Sequence, residues 1–225
     1  MRAEELPWPL PERPDLRDRL LAAYGRDRGY HDVRHLAEVL ARLDELGAGE
    51  DTDVVLAAWF HDAVYDEMGD NEERSARLAE LALTQPEEVE GVDVAEVARL
   101  VRLTATHRAE PADRRGAVLC DADLGILAAE PERYAEYVAG VRRDHAGVPE
   151  ADFRTGRLAV LRDLADREHL FHTEQARLVW EPRARANVLA EIDRLAPDLL
   201  SGPAGRADPS SGPGAAPSGD AARPG

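Results

Sequence analysis

The chain contains no lysine; all 28 of its basic residues are arginine. A Schiff-base lysine and a phosphate-loop lysine are therefore excluded. Only one serine, Ser75, precedes position 200, and it lies in "NEERSARLAEL", which reads as an ordinary helix surface. No G-x-S-x-G elbow is present. A hydrolase built on this sequence is expected to use water, not a side chain, as nucleophile. A single cysteine, Cys120, forbids an intrachain disulfide and fits a reducing compartment, so a cytoplasmic location is expected. No window approaches the ~20 consecutive apolar residues of a membrane helix. The opening "MRAEELPWPLPERP" lacks an apolar core, so no signal peptide is expected.

The formal net charge is −17. Nucleic acid and anionic membrane are disfavoured as partners, because neither long-range attraction nor counterion release would assist binding. A small phosphorylated ligand remains compatible, since a local cation can override the global field. A metal ion is the most compact such cation.

With 225 residues, 32% charged and 44% hydrophobic, the chain is long enough for one soluble domain with a sizeable core. Residues 201–225, "SGPAGRADPSSGPGAAPSGDAARPG", use six residue types and carry no aliphatic side chain beyond alanine and proline. Such a segment cannot offset its ordering entropy, and a disordered tail is expected. Residues 1–12 read as an irregular arm, and 13–200 as an all-α domain.

The expected helices follow from caps and spacing. Asp15 is a candidate cap for a helix through Tyr24. Asp32 caps a second, with Leu36, Val39, Leu40 and Leu43 on one face and Gly47 ending it. Asp51 or Thr52 opens a third, which carries His61–Asp62 and stops before Gly69. Asp70 and Asp93 open two more, the latter running through His107. Further helices are expected around "VLCDADLGILA", from Pro131, across "PEADFRTGRLAVLRDLADR" and from Pro182. No alternating run suggests a sheet.

The stretch "AAWFHDAVYD" interrupts the most apolar run of the chain with His61 and Asp62. A buried carboxylate needs compensation, from a buried arginine or from a metal ion. His35 lies one helical turn before Val39, beside the apolar stripe, and His31 one turn before His35. Asp121 and Asp123 both lie near the apolar face of "VLCDADLGILA", and periodicity does not separate them. Two imidazoles with two carboxylates suit Mn²⁺, Mg²⁺, Fe²⁺, Co²⁺, Ni²⁺ or Zn²⁺, with no thiolate to impose zinc.

One histidine, a His-Asp doublet and a distant aspartate, all on helices, resemble the H…HD…D pattern of the HD-domain superfamily of metal-dependent phosphohydrolases. The words "YGRDRGYHDVRH", "AAWFHDAVYDEMGDNEERSA", "LTATH", "LCDADLGILA", "YAEYVAGVRRDH", "GRLAVLRDLADR" and "RARANVLAEI" resemble a group of bacterial proteins identified as predicted members of it. The resemblance spans roughly Leu16 to Leu195. It implies an HD-type helical bundle and His35, His61, Asp62 and Asp123 as metal ligands, with Asp123 favoured over Asp121. It implies hydrolysis of a phosphoester or phosphoanhydride of a small metabolite, a nucleotide first. Guanosine tetraphosphate hydrolases of the superfamily carry an acidic pair where this chain has Tyr65 and Asp66. Asp66, one turn after Asp62, is the candidate general acid or base. His107 matches a region where many members place an extra histidine and is the second catalytic candidate. Arg28, Tyr30 and His31 form a candidate phosphate-facing rim, of which Arg28 and His31 are the expected substrate-binding residues. The rival readings are a non-catalytic nucleotide-binding module and a di-iron oxygenase.

Overall fold

The computed structural model describes residues 5–25, 28–66, 69–84 and 89–196. The expected tail, 201–225, lies outside them. Ten α-helices and no strand occur among the described residues: α1 (Pro14–Tyr24), α2 (Val33–Glu45), α3 (Thr52–Phe60), α4 (Asn71–Thr84), α5 (Val94–Leu103), α6 (Arg114–Leu124), α7 (Pro131–Asp144), α8 (Glu150–Asp166), α9 (Glu174–Val179) and α10 (Glu181–Leu195). A 3-10 turn, Gly125–Ala128, follows α6. No described helix is long and apolar enough to cross a membrane.

Asp32, Asp51 and Asp93 each accept from backbone N–H groups of the following turn and so start α2, α3 and α5 as expected. Asp15 does not cap α1. Pro14 occupies the first turn, its fixed φ suited to that place, so Arg13 becomes the cap and Asp15 sits inside the turn. The six-residue α9 was not expected; Thr173 caps it by accepting from the Ala176 N–H.

Two helices end earlier than their apolar patterns suggest, and both ends form the site. α3 stops at Phe60, so His61 and Asp62 lie just beyond it. Its last carbonyls find partners that divert the chain. The Tyr24 hydroxyl lies 3.2 Å from the Trp59 carbonyl, and His61 Nδ1 lies 2.7 Å from that of Ala58. α5 stops at Leu103 rather than reaching His107. His107 adopts φ +51°, a left-handed conformation that no helix continues through, and its N–H returns to the Leu103 carbonyl at 2.9 Å.

The apolar residues form two clusters. The first unites α1 to α6 around Trp59, Phe60, Leu36 and Leu100. The segment before α1 contributes Leu6 and Leu10, both buried, and Trp8, which packs edge-on against Trp59 with centroids 5.0 Å apart. The second unites the 3-10 turn with α7 to α10 around Leu127, Leu161 and Phe171. Tyr30 joins this second cluster from the segment before α2.

Candidate metal centre

Four side chains from three separate parts of the chain converge. His35 comes from the first turn of α2, oriented because its own backbone N–H is held by the Asp32 cap at 3.1 Å. His61 and Asp62 come from the end of α3, and Asp123 from the last turn of α6. His35 and His61 are each 1% exposed and Asp62 8%. His61 Nε2 lies 3.0 Å from His35 Nε2 and 3.0 Å from Asp62 Oδ2. His35 Nε2 lies 3.3 Å from Asp62 Oδ2 and 3.2 Å from Asp123 Oδ1. Asp123 Oδ1 is 3.7 Å from His61 Nε2.

These spacings fit a shared cation. Donor atoms bound at ~2.1 Å on neighbouring octahedral positions lie roughly 3.0 Å apart, and on tetrahedral positions roughly 3.4 Å. The tightest trio, His35, His61 and Asp62, presents ligand atoms all within 4.8 Å of one another. The tautomer fits as well. His61 Nδ1–H donates to the Ala58 carbonyl, which leaves the Nε2 lone pair facing the centre. Asp62 Oδ2 is buried with no hydrogen bond, facing only the two imidazole nitrogens at 3.0 and 3.3 Å, so its charge is compensated by them or by an ion placed between them.

Burial alone would lower the pKa of His61, but the Asp62 and Asp123 carboxylates outweigh it and push it up to about 10. His35 is raised in the same way, against its burial, by Asp123 and Asp62. Both carboxylates resist burial and are held well below the usual range, with His61 the leading cause. The imidazoles and carboxylates thus favour each other's charged forms in the metal-free centre. A divalent ion held there would compete with those protons.

Of the two aspartates on α6, only Asp123 faces this centre. Asp121, fully buried, accepts from the His172 and Thr173 backbone N–H groups at 2.7 Å each and from His172 Nδ1 at 3.1 Å. It anchors the segment leading into α9.

Beside the centre opens a cavity of about 710 Å³. Asp62, Asp123, His31, Tyr65 and His107 line its polar end; Ile126, Leu127, Tyr137, Val141 and Leu164 line an apolar wall. His107 Nε2 sits 2.8 Å from Asp123 Oδ2. Its loop is held by Arg167, which donates to the Thr106 carbonyl at 3.2 Å, and by the Ala109 N–H, which donates to His172 Nε2 at 3.2 Å. His31 Nδ1 lies 2.8 Å from Asp144 Oδ2.

No protein-family model, curated protein or solved structure matches this chain. Its site is read from its own geometry, and that geometry moves two expected residues. Arg28, expected at the substrate, is turned to backbone carbonyls. Its Nη1 donates to the carbonyls of His31 at 2.9 Å and Asp62 at 2.6 Å, and its Nη2 to that of Ala63 at 3.2 Å. It clamps the turn that carries the His-Asp doublet. Asp66 does not share a helix face with Asp62, because α3 ends before both. Both Asp66 carboxylate oxygens meet Arg74, at 2.7 and 2.8 Å, on the surface and outside the cavity lining.

Asp144 is the site residue that sequence reasoning missed. Its side chain is 3% exposed and accepts from the Gly29 and Tyr30 N–H groups as well as His31. It lies 113 positions from His31 at a helix end rich in charge, where nothing local separates it from a solvated acid.

Proposed function

We propose that the protein is a metal-dependent phosphohydrolase of the HD type, acting on a phosphoester or phosphoanhydride of a small metabolite, a nucleotide first. The observation that carries this reading is the convergence of two imidazoles and two carboxylates, one oxygen left without a hydrogen bond, at the edge of a cavity large enough for such a substrate. His35, His61, Asp62 and Asp123 would hold the ion. When bound, a divalent ion supplies a Lewis acid for a phosphoryl oxygen and a water acidified toward neutral pH.

The chain's own groups supply the rest. His31 donates Nδ1–H to the buried Asp144 carboxylate, which orients the ring and leaves the Nε2 lone pair as an acceptor, placed to take a proton or hydrogen bond from a group in the cavity. His107 Nε2, paired with Asp123, is placed to hold a proton beside a ligand oxygen. The apolar wall excludes water around the body of the substrate. Net charge −17 makes the bound cation the principal attraction for a phosphate.

The displacement of Asp66 to the surface favours one second reading, a nucleotide-binding module without turnover. One experiment separates them: metal analysis of the purified protein, then a phosphate-release screen over nucleotides and sugar phosphates with Mn²⁺, Mg²⁺, Co²⁺ or Ni²⁺. Turnover that disappears in His35→Ala supports the hydrolase. Metal binding without turnover of any phosphate moves the protein to the binding module.

A further inference from the structure

Two tyrosines at the cavity have hydroxyls without a hydrogen-bond partner among the described residues, and they differ in one respect. The Tyr30 hydroxyl is sealed from any solvent-sized atom, so no ligand oxygen reaches it. The Tyr65 hydroxyl is not among the sealed atoms, and Tyr65 lines the polar end of the cavity beside Asp62 and His31.

Tyr65 is also held in place without using its hydroxyl. Its ring stacks on His31, with centroids 4.1 Å apart and planes 24° from parallel. The Arg28 guanidinium lies 5.8 Å from its centroid on the clamp described above. The backbone on either side is pinned to α4: the Val64 N–H donates to Ser75 Oγ at 3.0 Å, and the Asp66 N–H and carbonyl both pair with the Asn71 side chain. A rigid ring with a free hydroxyl at the end is a preorganised donor.

Charge decides what it would contact. Burial first, then the Asp144, Asp62 and Glu72 carboxylates push the Tyr65 phenol well up. It stays protonated throughout the working range and keeps its proton to give. Of the carboxylates around it, Asp144 is paired with His31 and Asp62 with His61, while Glu72 lines the same cavity without a hydrogen bond to the Tyr65 hydroxyl. No described group accepts from the hydroxyl, which leaves it available to an acceptor that arrives with the ligand.

We propose that Tyr65 is a substrate-contacting residue whose hydroxyl donates a hydrogen bond to an oxygen of the phosphoryl group bound at the His35–His61–Asp62–Asp123 centre. This rests on the phosphohydrolase reading above. Tyr65→Phe keeps the ring on His31 and removes only the donor.

The test is the affinity of the Mn²⁺-loaded full chain for inorganic phosphate, by calorimetry, in wild type and Tyr65→Phe. A donor to a charged oxygen predicts affinity weakened by about 10- to 100-fold. The Mn²⁺ affinity and the melting temperature of the metal-free protein should stay at wild-type values, because no contact within the protein is lost. Equal phosphate affinity in the two proteins overturns the assignment of Tyr65 alone. A fall in melting temperature or Mn²⁺ affinity that accounts for the lost phosphate binding also overturns it, since the hydroxyl would then be structural. If wild type binds Mn²⁺ but no phosphate, the phosphohydrolase reading falls, and this inference with it.

Discussion

Two of the buried charge clusters among the described residues, one in each apolar core, are built on opposite principles. In the second core, Arg157 donates from Nε and Nη2 to the two oxygens of Glu191, at 2.8 and 3.1 Å, and the Tyr134 hydroxyl adds a third bond at 2.6 Å. Both charged side chains are under a tenth exposed, and every buried polar atom of the cluster has a partner. That cluster is complete. In the first core, two imidazoles face each other at 3.0 Å, and His35 Nδ1 and Asp62 Oδ2 lack hydrogen bonds. A buried polar network that is satisfied serves the fold; one that is left open is built for something that binds.

The largest test of this contrast is Glu191→Ala. Removing one partner of a buried pair strands the other charge, at a cost of roughly 3–5 kcal/mol. At ~2–4 °C per kcal/mol for a chain of this size, the melting temperature should fall by about 6–20 °C. Metal affinity, measured well below the transition, should hold. A loss of metal with Glu191 would show that the two clusters are coupled.

Metal should act only on the open cluster. Free ion at a hundredfold excess over its dissociation constant should stabilise the protein by ~2.7 kcal/mol, and chelation should reverse this. His61→Ala or Asp62→Ala should abolish the gain, read as a melting temperature insensitive to added metal. Either variant retaining full occupancy would sink the ligand assignment.

The pH dependence of the open cluster should change sign with metal. The Asp62 and Asp123 carboxylates push His61 up to about 10 in the metal-free fold, against ~6.5 in an unfolded chain. Its contribution is complete below pH ~6.5 and is lost as pH rises through about 10. Asp62 and Asp123 are lowered, so their contribution is present above pH ~4 and is lost on acidification. Metal-free protein should therefore lose stability from pH 6.5 upward, while the metal-dependent increment grows, because protons no longer compete for the imidazoles. Melting curves at pH 6.5 and 9, with and without Mn²⁺, check both slopes.

Arg28 offers a finer probe, since it touches no ligand atom and holds the Asp62 carbonyl at 2.6 Å. Arg28→Lys keeps the charge and loses the fork that spans three carbonyls. Metal affinity should drop by about 10- to 100-fold, as for other groups that orient a metal ligand. Unchanged affinity would reduce Arg28 to a helix-end cation. The smallest effect is expected at Asp66. Its surface pairing with Arg74 is worth ~0–1 kcal/mol, so Asp66→Asn should leave stability and turnover within a few-fold of wild type. A hundredfold loss of turnover at constant metal content would return Asp66 to the chemistry.

The two clusters were unequally legible in sequence. His61 and Asp62 stand out because they break an apolar run, and His35 because it sits beside an apolar stripe. Glu191 and Arg157 gave no such signal in their arginine-rich, acid-rich helices, where most charges are solvated. Asp144 was hidden for the same reason. Asp66 misled because its spacing from Asp62 assumed a helix that the Tyr24, His61 and Arg28 side chains bring to an end.

The sequence by itself determined the helical content, most helix starts and the inward place of the His-Asp doublet. These follow from local terms: side chains that cap nearby N–H groups, and a 3.6-residue apolar period. Only the tertiary structure decided which aspartate of "CDAD" faces the centre, that Arg28 clamps a backbone turn, that Asp144 orients His31, and that Tyr65 opens onto the cavity while Tyr30 is sealed. Each of these depends on which distant carbonyl, carboxylate or ring packing brings within hydrogen-bond reach, and no local period carries that information.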